Sequence, residues 1–65
     1  MKKTDPKTTK VEIGTTPFGG DYSILYFFDE NEKPCSEEES KGALFVVYDN
    51  DDNELYTQVL RKLTS

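Results

Sequence analysis

Histidine and tryptophan are absent from this chain of 65 residues, and cysteine occurs once, at Cys35. A single cysteine excludes an intramolecular disulfide. Without histidine, the chain lacks both a tetrahedral Cys/His zinc site and a histidine base for catalysis. Acidic residues follow Cys35 closely in the sequence, and they disfavour a reactive thiolate. We therefore predict that Cys35 is a small buried hydrophobic residue, that the protein is not an enzyme, and that it carries no cofactor or metal.

Long apolar runs are also missing. The apolar stretches fall well short of the roughly 18 residues that a membrane-spanning helix needs. The opening residues MKKTDPKTTK lack the apolar middle of a signal peptide. We therefore expect no membrane partner and a cytoplasmic location, and a lone cysteine agrees with a reducing compartment.

Basic residues are scarce beyond the N-terminal segment. The net charge is -5, while Lys2, Lys3, Lys7 and Lys10 all lie within the first ten residues. The remainder of the chain is strongly acidic, which argues against nucleic acid as a partner because phosphate contacts need a basic face. Residues 1–9 hold no large apolar side chain after the initial methionine. They predict a disordered arm, followed by one small domain over residues 10–65.

Apolar stretches with strand character do occur, and turn signals separate them. Val11-Glu12-Ile13 alternates with the period of a strand, and YSILYFF and ALFVVY are rich in aromatic and branched residues. The connections are too short for a relaxed parallel crossover, so the strands should pair antiparallel. The prediction is a mainly β, small α+β fold with an antiparallel sheet of about four strands, at 10–14, 22–28, 43–48 and 55–62.

The segment PCSEEESKG follows a different pattern. Ser36 and Glu39 have the spacing of a capping box, and Gly42 stands where a glycine often ends a helix. We predict one short helical turn at residues 37–41, between the second and third strands. It carries no apolar stripe, so we expect it to leave the sheet faces uncovered.

The C-terminal segment fits two patterns. As a helix it would place Leu55, Val59 and Leu63 on one stripe, giving three strands plus a C-terminal helix as the alternative fold. Tyr56 and Thr57 are residue types that prefer strands. We therefore favour a strand.

The cluster Asp49-Asn50-Asp51-Asp52-Asn53 raises the question of a calcium loop. Such a loop needs glycine at its sixth position and glutamate at its twelfth, where this chain has Glu54 and Leu60. Asp and Asn favour turns on their own account. We interpret the cluster as a turn and keep a calcium-dependent module as a third functional hypothesis.

A faint internal echo links two regions of the chain. Residues 24–35 laid over 44–55 align apolar residues first, then Asp29 with Asp49, then polar residues. Two copies are too few for a repeat architecture. We interpret the echo as the common pattern of a strand that runs into a turn.

The strands at 22–28 and 43–48 are apolar on both faces, whereas antiparallel sheets commonly keep one face in water. Two apolar faces need two covers, so we predict a non-catalytic interaction module that uses an aromatic sheet face to form a homodimer or to bind another protein. The candidate interface residues are Phe18, Tyr22, Tyr26, Phe28, Tyr48 and Tyr56.

An alternative hypothesis comes from the acidic residues. An inhibitor that mimics nucleic acid would present many carboxylates to a basic groove of its target. This alternative predicts that they share one surface, and the carboxylates concerned are Asp29, Glu30, Glu37, Glu38, Glu39, Asp49, Asp51 and Asp52.

Overall fold

The computed structural model describes residues 3–14 and 16–61. Four strands form one antiparallel sheet in the order β1-β2-β3-β4. The strands are β1 Thr9–Ile13, β2 Tyr22–Phe28, β3 Gly42–Tyr48 and β4 Glu54–Arg61, and a short 3-10 turn at Pro17–Gly19 joins β1 to β2. The predicted mainly β fold is confirmed, and the predicted bounds of β2 agree with the structure.

The C-terminal segment is a strand, as favoured, and not a helix. β4 pairs with β3 along its length, with Phe45 opposite Gln58. A register shift between Val47 and Tyr48 marks a bulge where β4 begins. The helix and strand patterns of this segment are similar in strength, and hydrogen bonding to the edge of β3 favours the strand.

The helical turn predicted at residues 37–41 is not confirmed. The Glu39 N–H donates to the Ser36 carbonyl at 3.1 Å, and the Ser40 N–H donates to the Glu37 carbonyl at 3.3 Å, which makes a turn and no α-helix. The Ser36 hydroxyl contacts the Glu39 carboxylate at 3.2 Å, so part of the capping box forms. Helix nucleation is costly, and a segment without an apolar stripe gains too little packing to offset that cost.

Alternate side chains of each strand point to opposite faces of the sheet. We call one face the tyrosine face, and the strand registers place the following residues of the central strands on it: Tyr22, Ile24, Tyr26, Phe28, Gly42, Leu44, Val46 and Tyr48. We call the other the loop face, with these central residues: Ser23, Leu25, Phe27, Ala43, Phe45 and Val47.

On the tyrosine face, two tyrosines cover the centre of the sheet. Ile24 and Val46 are opposite each other and are 0% and 3% exposed. Tyr26 on β2 is opposite Leu44, to one side of this pair along the strands, and Tyr48 on β3 is opposite Tyr22, to the other side. The hydroxyls of Tyr26 and Tyr48 nevertheless meet at 2.8 Å. The two rings must therefore lean towards each other above the Ile24–Val46 pair, and the sheet covers its own core.

On the loop face, the connection between β1 and β2 provides a cover. Gly20 packs so closely on Val47 that a Cβ there would overlap the valine side chain. Phe18, in the left-handed region at φ 59°, places its ring 4.4 Å from the ring of Tyr56. Val47 is fully buried as a result.

The other end of the loop face is covered by the connection between β2 and β3. Ser40 is 4% exposed, and its hydroxyl donates to the Glu37 carbonyl at 2.7 Å. It lines the same cleft as Phe27 and Ala43, which are both buried. The expectation that this segment leaves the sheet uncovered is therefore wrong, because a compact turn with a small buried residue covers a sheet end without an apolar helix.

A tight turn built around Asp49 joins β3 to β4. The Asp49 N–H donates to the Asn53 carbonyl at 3.0 Å, and the Asp52 N–H donates to the Asp49 carbonyl at 3.1 Å. Asp52 adopts a left-handed conformation at φ 64°. The Asp/Asn cluster is the turn that we interpreted from the sequence.

The turn after β2 repeats this geometry. The Asp29 N–H donates to the Lys33 carbonyl at 2.9 Å, and the Glu32 N–H donates to the Asp29 carbonyl at 2.9 Å. Glu32 has a φ of 62°. The echo seen in the sequence therefore corresponds to one turn built twice.

Beyond the Asp29 turn, strand pairing stops early. An isolated bridge joins Phe28 to Pro34, and the Cys35 N–H donates to the Phe27 carbonyl at 3.3 Å. The Phe27 N–H donates to the Thr8 carbonyl at 2.9 Å. Residues just before β1 and residues just after Pro34 therefore share one edge of β2.

Part of the segment assigned to a disordered arm is hydrogen-bonded in the structure. The Thr8 N–H donates to the Asp5 carbonyl at 3.1 Å, and the Lys7 N–H donates to the Asp5 carboxylate at 2.9 Å. The Thr9 hydroxyl also donates to the Asp5 carbonyl, at 2.7 Å. Residues 1–2 lie outside the described residues.

Candidate interaction surface

The six predicted interface residues differ in how much surface they present. Tyr22 and Tyr48 are buried, Phe18 is 67% exposed, and Tyr26, Phe28 and Tyr56 are half-buried. The rings of Tyr22 and Tyr48 stack at 5.1 Å, and the Tyr22 hydroxyl donates to the Asp52 carboxylate. Tyr22 and Tyr48 therefore belong to the core of the single chain, whereas Tyr26 and Phe28 on the same face keep part of their surface exposed.

The environment of Tyr48 keeps its phenol protonated. Burial raises the pKa of Tyr48 above its ordinary value, and the hydrogen bond with Tyr26 raises it further. A neutral phenol can both donate and accept hydrogen bonds. The Tyr48 hydroxyl can therefore act as donor or acceptor in its hydrogen bond with the Tyr26 hydroxyl.

Exposed apolar side chains lie mainly on the outer strands. On β4, Leu55, Val59 and Leu60 are 44%, 53% and 41% exposed. Sequence reasoning assigned these residues to a strand but did not select them as interface candidates. A usable signal was present, since the stretch from Leu55 to Leu60 holds no charged residue.

The backbone of β2 shows which groups point towards each neighbouring strand. The Gly14 N–H donates to the Asp21 carbonyl, and the Phe27 N–H donates to the Thr8 carbonyl. In an antiparallel ladder, each residue directs both its N–H and its C=O to one side, and successive residues alternate. Odd-numbered residues of β2 therefore bond β1, and even-numbered residues bond β3.

The same alternation carries across the sheet to β4. Because even-numbered residues of β2 pair with even-numbered residues of β3, the odd-numbered residues of β3 bond β4. Phe45 and Val47 are opposite Gln58 and Tyr56, so these two residues of β4 bond inwards. The residues of β4 whose N–H and C=O groups point away from the sheet are Thr57, Val59 and Arg61.

The two outer strands differ in how they are protected against further pairing. Natural sheets shield their edges with short strands, charges, prolines or bulges. β1 has five residues and carries Lys10 and Glu12. β4 has eight residues, a bulge only at its start, and charges only at Glu54 and Arg61. Among the described residues, β4 is therefore the edge open to another strand.

Arg61 ends β4 in contact with two groups of the same chain. Its guanidinium carbon lies 5.6 Å from the centre of the Phe28 ring, and a guanidinium nitrogen lies 3.6 Å from the Glu32 carboxylate. The Phe28 ring in turn lies over Gly42, where an added Cβ would come within 2.7 Å of the ring. These contacts hold the end of β4 against the sheet.

A small cleft of about 210 Å³ opens on the loop face. Most of its lining is apolar, and the Ser40 hydroxyl in the lining donates to the Glu37 carbonyl. The lining residues are Leu25, Phe27, Glu37, Ser40, Gly42, Ala43, Leu60 and Arg61.

The acidic turns do not gather ligands for a cation. The Asp49 carboxylate accepts the N–H groups of Asp51 and Asn53, each at 2.8 Å, and the Asn53 side-chain amide at 3.2 Å. Hydrogen bonds from the backbone lower the pKa of Asp49, the one from Asn53 most strongly. Within residues 3–14 and 16–61, no group of three or more Cys, Asp or Glu side chains is placed to hold a metal ion.

The acidic turns also lie far apart. Asp29 follows the end of β2, and Asp49 follows the end of β3. Because β2 and β3 are antiparallel neighbours, these ends are at opposite sides of the sheet. The carboxylates named for a nucleic-acid mimic are therefore divided between two ends of the fold.

No helix within the described ranges has the length and apolar character needed to cross a membrane. No protein-family model, curated protein or solved structure matches the chain.

Proposed function

We propose that this protein is a small non-catalytic interaction module that binds protein chains, its own copies first among them, along the outer edge of β4. The observation that supports this most is the run from Leu55 to Leu60, uncharged and largely exposed, on an edge strand whose outer N–H and C=O groups point away from the sheet. We place the protein in the cytoplasm, and its lone Cys35 supports that location.

Strand addition fits the chemistry of this edge. An added strand gains main-chain hydrogen bonds from the outward groups of Thr57 and Val59, and apolar contacts from side chains on either face. Val59 on the tyrosine face and Leu60 on the loop face are both more than one third exposed. A partner strand would remove their remaining exposed surface from water, which contributes about 1 kcal/mol per side chain, roughly half of the value for burying a fully exposed one.

Sedimentation velocity on the full chain tests the proposal. We expect the sedimentation coefficient of the natural protein to rise with concentration, whereas Val59→Lys remains monomeric because a charge on the edge opposes pairing. Val11→Lys is the matched control, because Val11 lies on the same face of the opposite edge and is 36% exposed. It should associate like the natural protein.

Circular dichroism should show that both lysine variants are folded. A natural protein that stays monomeric up to millimolar concentration would contradict self-association. Association that survives Val59→Lys would place the contact away from β4.

A further inference from the structure

We propose that β4 pairs antiparallel with β4 of a second copy in one register, with Gln58 opposite Gln58 of the second copy. This inference rests on the proposed function and specifies the partner and the geometry of the contact. It follows from the direction of the backbone groups, the side chains on each face, and the charges at the two ends of the strand.

The backbone limits the choice of registers. Two opposite residues of an antiparallel pair exchange two hydrogen bonds only where both residues direct their N–H and C=O groups towards the other strand. With Gln58 at the two-fold axis, Thr57 of each copy is opposite Val59 of the other. Both residues direct their backbone N–H and C=O groups away from their own sheet and towards the second copy. A two-fold axis perpendicular to the sheet keeps each face continuous between the copies, so the result is one eight-stranded sheet built from two four-stranded ones.

The side chains complement one another in this register. On the loop face, Leu60 is opposite Tyr56 of the second copy, which pairs a branched side chain with an aromatic ring. On the tyrosine face, Val59 is opposite Thr57. At the axis, the two Gln58 amides are adjacent, and each amide can donate to the carbonyl of the other.

The charges at the ends of β4 also fit an antiparallel partner. Glu54 begins the strand and Arg61 ends it, with no charge between them. Antiparallel pairing brings the acidic end of each strand to the basic end of the other. Parallel pairing would place like charges together, which is unfavourable.

Symmetric pairing also produces a closed assembly. A strand that meets its own copy about a two-fold axis leaves no second β4 edge open. If β4 instead paired with β1 of a second copy, every addition would leave a new open edge, and the chain would polymerise. The charges of Lys10 and Glu12 on β1 disfavour that arrangement.

Disulfide trapping tests the register in the full chain. The natural thiol is first removed as Cys35→Ser, and Gln58→Cys, Thr57→Cys, Val59→Cys or Glu12→Cys is then added singly. Gln58 bonds inwards, so the Gln58 pair is a non-hydrogen-bonded pair with Cα atoms about 4.5 Å apart, within the range of a disulfide.

Under mild oxidation, Gln58→Cys should form covalent dimers at least about tenfold faster than Glu12→Cys, because pairing raises the local thiol concentration. Thr57→Cys and Val59→Cys should cross-link with each other when mixed, and slowly when each is alone. Faster self-linking by Thr57→Cys or Val59→Cys would overturn the register.

Sedimentation of the Cys35→Ser protein and circular dichroism of each variant accompany the trapping. A dimer that yields no rapid link at any β4 position would overturn this inference while leaving the interaction module in place. Growth into polymers would support pairing between β4 and β1 and also overturn it. A protein that stays monomeric at every concentration would overturn both proposals.

Discussion

The hydroxyl of Tyr26 lies 2.8 Å from the hydroxyl of Tyr48, although the two residues occupy diagonal positions on neighbouring strands. The pair Ile24 and Val46 lies between them and is almost fully buried. A single-layered sheet ordinarily needs a second layer to bury such residues. Here two large side chains with paired hydroxyls substitute for that layer.

The pairing of Tyr26 with Tyr48 predicts a graded loss of stability. Tyr26→Phe keeps the ring and loses the hydrogen bond, so the free energy of unfolding should fall by about 0.5–1.5 kcal/mol. Tyr26→Ala removes the cover above Ile24 and should cost about 2–4 kcal/mol. Urea denaturation measures both changes. Tyr56→Phe is the control, because the Tyr56 hydroxyl makes an exposed contact with Gln58, at 3.0 Å; equal losses for both Phe variants would contradict this account.

Tyr48 predicts sensitivity to alkaline pH. Burial holds the pKa of Tyr48 in the folded protein above that of an unfolded tyrosine, which is about 10. As the pH rises, the unfolded state releases the proton first, so this contribution to stability is complete below pH of about 10 and is lost above it. Urea midpoints measured from pH 8 to pH 11 should fall at the upper end. Tyr48→Phe should flatten that fall, and an unchanged slope would show that Tyr48 is not responsible.

The turn around Asp49 predicts sensitivity to acid. Backbone hydrogen bonds, the one from Asn53 first, lower the pKa of Asp49 in the folded protein. As the pH falls, the carboxylate of the unfolded state is protonated first. The contribution of Asp49 to stability is therefore complete above pH of about 4 and is lost as the pH falls through the lowered pKa of the folded state. Asp49→Asn should reduce this acid dependence in urea midpoints taken from pH 6 to pH 2. Asp51→Asn, on an exposed side chain of the same turn, should leave it unchanged.

Gly42 predicts a steric limit beneath Phe28. An added Cβ would lie 2.6 Å from the Leu60 carbonyl oxygen and 2.7 Å from the Phe28 ring. Gly42→Ala should therefore lower the free energy of unfolding by about 1–3 kcal/mol, as overpacking does. Lys41→Ala, at the exposed neighbouring position, is the control and should change it by less than about 0.5 kcal/mol. Thermal or urea unfolding that ranks the two variants equally would contradict the close approach.

The hydrogen bonds of Asp49 predict indifference to calcium. Both of its carboxylate oxygens already accept bonds within the turn, and the Asp49 turn lacks the twelfth-position glutamate of a calcium loop. Millimolar calcium should leave the melting temperature within error of its value in magnesium. A rise specific to calcium would restore the calcium-dependent hypothesis.

The positions of the strands were largely readable from the sequence. Runs such as Tyr22–Phe28 combine high strand propensity with sharp turn signals, and both properties are local. The failed prediction at residues 37–41 also rested on local chemistry, in the Ser36–Glu39 pair. That pair can begin a helix, but nothing in the segment could pack one.

The burial of the two sheet faces could not be predicted from local sequence in the same way. Whether Tyr26 meets Tyr48 depends on the register of β2 against β3, and that register depends on the path of residues 29–41. The close contact between Gly20 and Val47 likewise joins residues far apart in the sequence. Two-sided apolar strands therefore could not by themselves show which apolar residues stay exposed, such as Val59 and Leu60 on β4.

Phe27 divides its backbone groups between two segments at the outer edge of β2. The Phe27 N–H donates to the Thr8 carbonyl, while the Phe27 carbonyl accepts the Cys35 N–H. In a regular antiparallel ladder both groups of such a residue bond the same partner. Each further residue paired with β2 after Cys35 would therefore displace one residue of the N-terminal segment, and the length of β1 depends on where that second segment turns away.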